Sequence, residues 1–191
     1  VNNAGTYEKQ RSLTPDGIET TFAVNSIAPF LLTHELLPLL RKGHLPRVVN
    51  VASIAHREIR QVDWENLQGE KRYDAFEAYA LSALAHVTLT FGMARRIAGS
   101  GISVNCLHPG VVATKMLRAG SPTIRGKAPS EGARLPVYLA VSPDVKGITG
   151  EYFEESVQPT PPSDLSRSRS VQERMWDAAA KLTACDAWLR K

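Results

Sequence analysis

The sequence predicts an α/β fold in which helices cover a parallel sheet. Two runs rich in β-branched and apolar residues, at positions 47–52 and 102–107, are typical of buried strands. Stretches with helical periodicity alternate with these runs, as expected when helices connect parallel strands. The 191 residues are enough for one domain with a real core, so we assign residues 1–191 to a single domain.

The order of elements follows from the same periodicity and from helix-stop and helix-start signals. Gly99 ends the second helix, and Ser130 is predicted to cap the third at its N-terminus. Residues 154–170, rich in proline, serine and arginine, are predicted to be a surface connection to the final helix, with the alternating serines and arginines in a solvated loop. The predicted elements are helix 17–40, strand 47–52, helix 73–98, strand 102–107, helix 130–141, strand 150–153 and helix 171–182.

Composition argues against two classes of function. The chain is 43% hydrophobic and 22% charged, with a net charge of +4, which is ordinary for a globular domain. The basic residues are scattered and do not alternate with aromatic residues, so we predict no nucleic-acid binding. No stretch approaches the ~20 apolar residues of a membrane span. We expect a cytoplasmic location, while a membrane anchor upstream of Val1 stays open.

No metal site is predicted either. Cys106 and Cys185 are far apart in sequence, which is typical of reduced thiols and argues against a disulfide framework or a zinc site. The spacing of His56, His86 and His108 fits no pattern of metal ligands.

Candidate site residues follow predicted strands or lie within a helix. The glycine in the turn at residues 3–5 would allow a nucleotide to approach the backbone closely. Ser53 follows a buried strand, where ligands bind in parallel sheets, although a capping serine is an equal alternative. Tyr79 lies in a helix, where a tyrosine is more often packing than an acid. Gly110 follows the next strand, and Thr114 adds a hydroxyl group nearby.

In this order, the residues resemble the short-chain dehydrogenase/reductase family, and the details are similar to its retinol-dehydrogenase-like branch. The similarity runs from Val1 to about Trp176. It implies the carboxyl part of a doubly wound, Rossmann-like parallel sheet with flanking helices, whose first three strands are absent from this sequence. The matching segments are Asn2-Asn3-Ala4-Gly5, Val24-Asn25, Val49-Asn50-Val51-Ala52-Ser53, Ala55-His56, Ala78-Tyr79, Leu84-Ala85, Ala94-Arg95-Arg96, Leu107-His108-Pro109-Gly110-Val111-Val112, Thr114, Gly150-Glu151-Tyr152-Phe153 and Met175-Trp176.

The resemblance implies reversible hydride transfer between an alcohol or carbonyl compound and a nicotinamide cofactor, NAD or NADP. Ser53 would bind the substrate oxygen, Tyr79 would give or take its proton, and Asn25 would support a water molecule. The branch implies a small retinoid-like or lipid-like substrate, and assembly into homo- or hetero-oligomers through the Tyr79 helix. The residues implied in cofactor binding are Asn3, Ala4, Gly5, Pro109, Gly110, Val112 and Thr114.

One departure from the family pattern concerns the acidity of Tyr79. The family has a lysine four residues after the tyrosine, one helical turn away on the same face, and this chain has Ala83 there. An ammonium group ~4 Å from the phenol would lower its pKa by about three units at an effective dielectric near 20. We therefore expect little or no activity from the chain as it stands. Lys71 and Lys115 lack the spacing to replace the missing charge.

A second departure concerns the phosphate-binding region. The resemblance places Asn2 at the end of the fourth strand, so about 80–90 residues with the first three strands would precede it. No Gly-x-x-x-Gly-x-Gly occurs in the chain, and that turn would hold the pyrophosphate at a helix N-terminus. Two alternatives stay open: an oxidoreductase represented by its carboxyl part, or a non-catalytic relative that binds or regulates an intact family member.

Overall fold

The fold is built around a three-stranded parallel sheet in the order β1-β2-β3. The computed structural model describes residues 1–185. The α/β class and the parallel sheet predicted from the sequence are confirmed, and the bounds of the first two strands agree to within one residue. The strands are β1 (Arg47–Val51), β2 (Ser103–His108) and β3 (Tyr152–Glu154).

The opening residues extend this sheet beyond β1. Asn2 forms an isolated parallel bridge with Asn50. Its backbone amide donates to the Val49 carbonyl (2.8 Å), and its carbonyl accepts from the Val51 amide (2.9 Å). The Asn2 side chain also donates to the Asn50 amide oxygen at 2.7 Å. This placement agrees with the prediction that Asn2 stands at the end of a strand.

Helices cover both faces of the sheet. The first helix, α1, contains a five-residue π-helical segment, Ala23–Ile27, and begins three residues later than predicted. The predicted second helix is confirmed as α2, shortened by two residues at each end. The helices are α1 (Thr20–Leu40), α2 (Ala75–Arg96), α3 (Lys115–Gly120), α4 (Pro129–Gly132), α5 (Arg134–Val141), α6 (Asp164–Arg167) and α7 (Arg169–Thr183).

The two-residue period of the strands divides the core between the faces. Val48 and Val104 point into a large cluster formed with α1, α2 and α7. Val49 and Leu107 point the opposite way and pack with Leu139 of α5. Strands buried on both faces explain why their sequences are nearly continuous apolar runs rather than alternating patterns.

Helix α2 carries Tyr79 and lies at the centre of the molecule. Asp74 caps it, because its carboxylate accepts a hydrogen bond from the Glu77 amide at 2.8 Å. The helix packs against β2, α7 and the turn that follows β1. Gly92 allows Trp176 of α7 to approach closely, since a Cβ at Gly92 would lie 2.9 Å from the Trp176 ring. These contacts hold Tyr79 on a rigid element.

Three details of the sequence prediction need correction. Helix α4 begins after Ala128 and not after Ser130. The single helix predicted here is interrupted at Ala133, which separates α4 from α5. The serine–arginine alternation is not a solvated loop, because it contributes to α6 and α7. Ser166 is fully buried and donates to the Ser163 carbonyl at 2.7 Å. Part of the predicted surface connection is therefore helical.

The prediction about membrane-length stretches also needs correction. Within residues 1–185, helix α1 is long and apolar enough, by length and composition, to cross a membrane. Length and composition alone are weak evidence for a membrane span, since the core helices of globular domains share both properties. In this structure Phe22, Ile27, Phe30 and Leu37 of α1 are buried in the core.

Candidate functional site

Ser53 and Tyr79 meet at the carboxyl edge of the sheet. Ser53 follows β1 in an extended conformation and is buried. Its hydroxyl oxygen accepts from the Ala55 amide at 3.2 Å, so it also has the capping role considered as an alternative. Tyr79 lies in the second turn of α2, and its phenol is close enough to the Ser53 hydroxyl group for that group to lower the pKa of the phenol. Two hydroxyl groups from distant parts of the sequence thus form one polar pair.

The surroundings of Tyr79 make its phenol a weaker acid than usual. Burial raises the pKa of Tyr79 above its ordinary value, and the nearby Ser53 hydroxyl group only partly opposes this. Within residues 1–185, no lysine or arginine contributes to the shift. The Lys71 Nζ lies 4.0 Å from a Glu65 carboxylate oxygen, and the Lys115 side chain is exposed. Neither lysine supplies the charge that Ala83 lacks.

Asn25 joins the opening loop to the Tyr79 helix. Its amide oxygen accepts from the Thr6 backbone amide at 2.8 Å, and its nitrogen donates to the Thr6 carbonyl at 3.0 Å. The same nitrogen donates to the Ser82 hydroxyl at 3.0 Å, and that hydroxyl donates to the Tyr79 carbonyl at 2.7 Å. Ser82 was not among the predicted site residues. Its position three residues after Tyr79, on the same side of the helix, was the available signal.

The turn at Asn3, Ala4 and Gly5 is exposed and follows the Asn2 bridge. A Cβ on Gly5 would lie 2.8 Å from the Met116 methyl group and 3.4 Å from the Asn25 amide oxygen. The turn therefore lies close to both α1 and α3. Beyond it, the ring of Tyr7 lies 5.6 Å from the ring of Tyr79, measured between centroids.

The segment after β2 begins with a backbone turn at Gly110. Gly110 has a φ of +82°, which favours glycine, and a Cβ there would lie 2.5 Å from Lys127 and Glu155. Those two side chains form an ion pair at 2.9 Å beside the glycine. Pro109 is half-buried between this turn and the end of β2.

A parallel bridge to Lys127 orients Val112. The Ala113 amide donates to the Lys127 carbonyl, and the Lys127 amide donates to the Val111 carbonyl, both at 2.9 Å. Since successive amides of an extended chain point in opposite directions, the Val112 amide faces away from Lys127. Thr114 then caps α3, with its hydroxyl oxygen accepting from an α3 amide at 3.2 Å.

His56 holds the turn after Ser53, a role that the sequence did not reveal. Its Nδ1 donates to the Ser53 carbonyl at 2.8 Å, and its Nε2 accepts from the Ser163 amide at 3.1 Å. Both ring nitrogens are satisfied only in the neutral form, and burial lowers the pKa of His56. A groove of about 460 Å³ lies alongside, between residues 57–60 and residues 162–165.

Replacing Gly126 with alanine should detach the bridge that holds Val112. The new Cβ would lie 2.5 Å from the Ala113 nitrogen and the Val112 carbonyl carbon. Overpacking of this kind costs ~1–3 kcal/mol, so the Ala113 and Lys127 amides should exchange about 10- to 100-fold faster with solvent. NMR-detected hydrogen exchange measures this effect. The control Ala128→Ser adds one atom at an exposed position and should change nothing; unchanged exchange in Gly126→Ala would contradict the assigned packing.

Comparison with known proteins agrees with this geometry. A sequence model described as "short chain dehydrogenase" matches residues 1–124. Retinol dehydrogenase 12 of Mus musculus is 35% identical over 192 residues, covering 95% of this chain and 60% of the relative. Retinol dehydrogenase 14 of Mus musculus is 36% identical, covering 93% of this chain and 56% of the relative. The chain thus spans less than two thirds of the length of these relatives.

Solved structures share the fold. An uncharacterized protein from Mycobacterium paratuberculosis superposes with a TM-score of 0.76 at 27% identity, covering 96% of this chain and 65% of that one. A 4-hydroxyisoleucine dehydrogenase complexed with NADH superposes with a TM-score of 0.58 at 26% identity, covering 80% of this chain and 64% of that one. A short chain dehydrogenase from Shigella flexneri complexed with NADP superposes with a TM-score of 0.57 at 27% identity, covering 71% of this chain and 52% of that one. With the parallel sheet, the Ser53–Tyr79 pair and the matched relatives together, this chain belongs to the short-chain dehydrogenase family and is retinol-dehydrogenase-like.

Proposed function

We propose that this chain carries the substrate-binding and proton-transfer part of an oxidoreductase that interconverts alcohols and carbonyl compounds. Ser53 would hydrogen-bond the substrate oxygen, while Tyr79 would donate a proton to a carbonyl or remove one from an alcohol. When bound, the nicotinamide cofactor supplies or accepts the hydride. The proximity of the Ser53 and Tyr79 hydroxyl groups at the carboxyl edge of the sheet is the observation that carries this proposal.

The nicotinamide end of a cofactor is proposed to bind the residues after β2. The Val112 amide faces away from its bridge partner, and Thr114 offers a hydroxyl group. The turn containing Gly5 would border the adenosine side. The neighbours with NADH and NADP support NAD or NADP as the cofactor. The names of the matched relatives favour a retinoid-like or other lipid-like alcohol or aldehyde.

The 191 residues by themselves are proposed to be inactive. The chain contains no Gly-x-x-x-Gly-x-Gly, so it offers no glycine-rich turn for the pyrophosphate. In addition, burial raises the pKa of Tyr79, and Ala83 provides no charge to lower it. Titration of the purified chain with NADH and with NADPH should leave the nicotinamide fluorescence unchanged. Micromolar binding of either cofactor would contradict this part of the proposal.

The proton-transfer role can be tested in a chimera that joins the preceding part of mouse retinol dehydrogenase 12 to Val1. In the Ala83→Lys version of that chimera, Tyr79→Phe should lower turnover by about 10²- to 10⁴-fold, with the nicotinamide cofactor still bound. Tyr138→Phe is the matched control, since that exposed phenol lies near Asp144 and outside the site. Equal turnover in the Tyr79→Phe and Tyr138→Phe chimeras would refute the assignment.

A second candidate function is that of a binding or regulatory partner of an intact family member. The buried alanine at position 83 favours it, because a partner needs no acidic phenol. The proposed contact is the Tyr79 helix, whose Phe76 is 51% exposed near its start. Mixing the chain with intact retinol dehydrogenase 12 and measuring mass by light scattering should reveal a hetero-oligomer that Phe76→Asp weakens. Separate species at all concentrations would exclude this function.

A further inference from the structure

Away from the Ser53–Tyr79 site, the fold assembles a second group of reactive side chains. His34 and Glu35 lie in α1, and Cys185 follows the end of α7. One ligand atom from each residue lies within 4.8 Å of the other two. The His34 Nδ1 is 3.1 Å from a Glu35 carboxylate oxygen and 3.3 Å from the Cys185 sulfur. The imidazole is half-buried, the carboxylate is exposed and the sulfur is buried.

The position of Cys185 is fixed by the way α7 ends. Ala184 adopts a left-handed conformation, with φ at +51°, and turns the chain back toward the helix. The Cys185 amide then donates to the Ala180 carbonyl at 3.1 Å. Cys185 joins the same buried cluster as Phe30 and Leu37 of α1. Its thiol is therefore held against the helix that carries His34.

Glu35 and Cys185 both approach the Nδ1 of His34, which carries either one proton or one lone pair. A cation at the centre would satisfy all three ligand atoms at once. In a tetrahedral zinc site with ordinary bond lengths, adjacent ligand atoms are about 3.3 to 3.6 Å apart. The two separations from the His34 Nδ1, 3.1 Å and 3.3 Å, are close to that range.

We propose that His34, Glu35 and Cys185 form a zinc-binding site that joins the end of α7 to α1. The mixed nitrogen, oxygen and sulfur ligands suit Zn²⁺, a borderline-soft cation. On binding, the Cys185 thiol loses its proton to solvent, and the thiolate and the carboxylate together balance the charge of the ion. Since Glu35 is exposed, water completes the coordination shell. The site would strengthen the packing of α7 on the Tyr79 helix.

Titration of the full chain with Co²⁺ tests the site, because thiolate ligands give cobalt a charge-transfer band in the near ultraviolet. We expect a band that saturates at one ion per chain and disappears when Zn²⁺ is added. Cys185→Ser should abolish it, while Cys106 cannot replace the lost ligand because it is fully buried in β2. Glu35→Gln should weaken cobalt affinity about tenfold or more. His44→Asn, an exposed histidine nearby in sequence, is the matched control and should bind normally.

Thermal unfolding gives a second measurement that does not depend on the cobalt band. Zn²⁺ should raise the melting temperature of the native chain and of His44→Asn, but not that of His34→Asn. Absence of the band and of the stabilisation in the native chain would overturn the proposal. A band that persists in Cys185→Ser would overturn it as well.

Discussion

Replacing Ala83 with lysine should raise turnover by about a hundredfold in the chimera with the preceding part of retinol dehydrogenase 12. The lysine ammonium would lie one helical turn from Tyr79, on the same face of α2. At about 4 Å and an effective dielectric near 20, it would favour the ionised phenol by ~4 kcal/mol. Steady-state rates with a retinoid-like alcohol and each cofactor measure the change.

Ala83→Met is the matched control for this experiment, because methionine adds a side chain of comparable length without a charge. It should leave turnover within a few fold of the chimera that keeps Ala83. The Ala83→Lys change in the 191-residue chain should not restore activity, since the chain lacks a glycine-rich turn for the pyrophosphate. Equal rates for the Ala83→Lys and Ala83→Met chimeras would show that the missing charge is not what limits Tyr79.

Acidification from about pH 7 to about pH 4 should remove ~3 kcal/mol of stability through His86 alone. The residue is buried in α2, its Nε2 has no hydrogen-bond partner within residues 1–185, and burial lowers its pKa to about 4. Its ordinary pKa is 6.5, so the unfolded chain takes up the proton first as the pH falls. The contribution is complete above the unfolded pKa and is lost as the pH falls toward the folded pKa.

Urea unfolding at both pH values measures this loss in the native chain and in His86→Leu. Leucine cannot titrate, so the variant should lose about 3 kcal/mol less on acidification. Burial also lowers the pKa values of His56 and His108, and their contributions remain in both proteins and cancel in the comparison. The same acid-dependent loss in both proteins would place the effect outside His86.

The fold was predictable because its signals are local. Residues 47–51 and 103–108 are rich in apolar and β-branched residues, which is typical of strands buried on both faces. The apolar period of α1 and α2 is sustained over many turns, and only their bounds shifted, by two or three residues. Ser53 and Tyr79 were identified through their order along the chain, although each residue taken alone has an ordinary structural explanation.

What was missed depends on contacts between distant parts of the chain. In the sequence Ser166 resembles a solvated loop residue, but it lies within α6 and its hydroxyl group is buried and hydrogen-bonded to Ser163. The role of His56 depends on a hydrogen bond from the Ser163 amide, which is more than a hundred residues away in the sequence. In the same way, the distance in sequence between Cys185 and His34 concealed a group that the packing of α7 on α1 brings together.

The pKa of the Tyr79 phenol tests the central claim most directly, and it requires neither cofactor nor substrate. NMR of the 191-residue chain with ¹³C-labelled tyrosine, with the Tyr79 signal assigned by its loss in Tyr79→Phe, gives this value. We expect a pKa above 10 in the native chain and a fall of about three units in Ala83→Lys. A native value below 10, or no change on introducing the lysine, would contradict this claim.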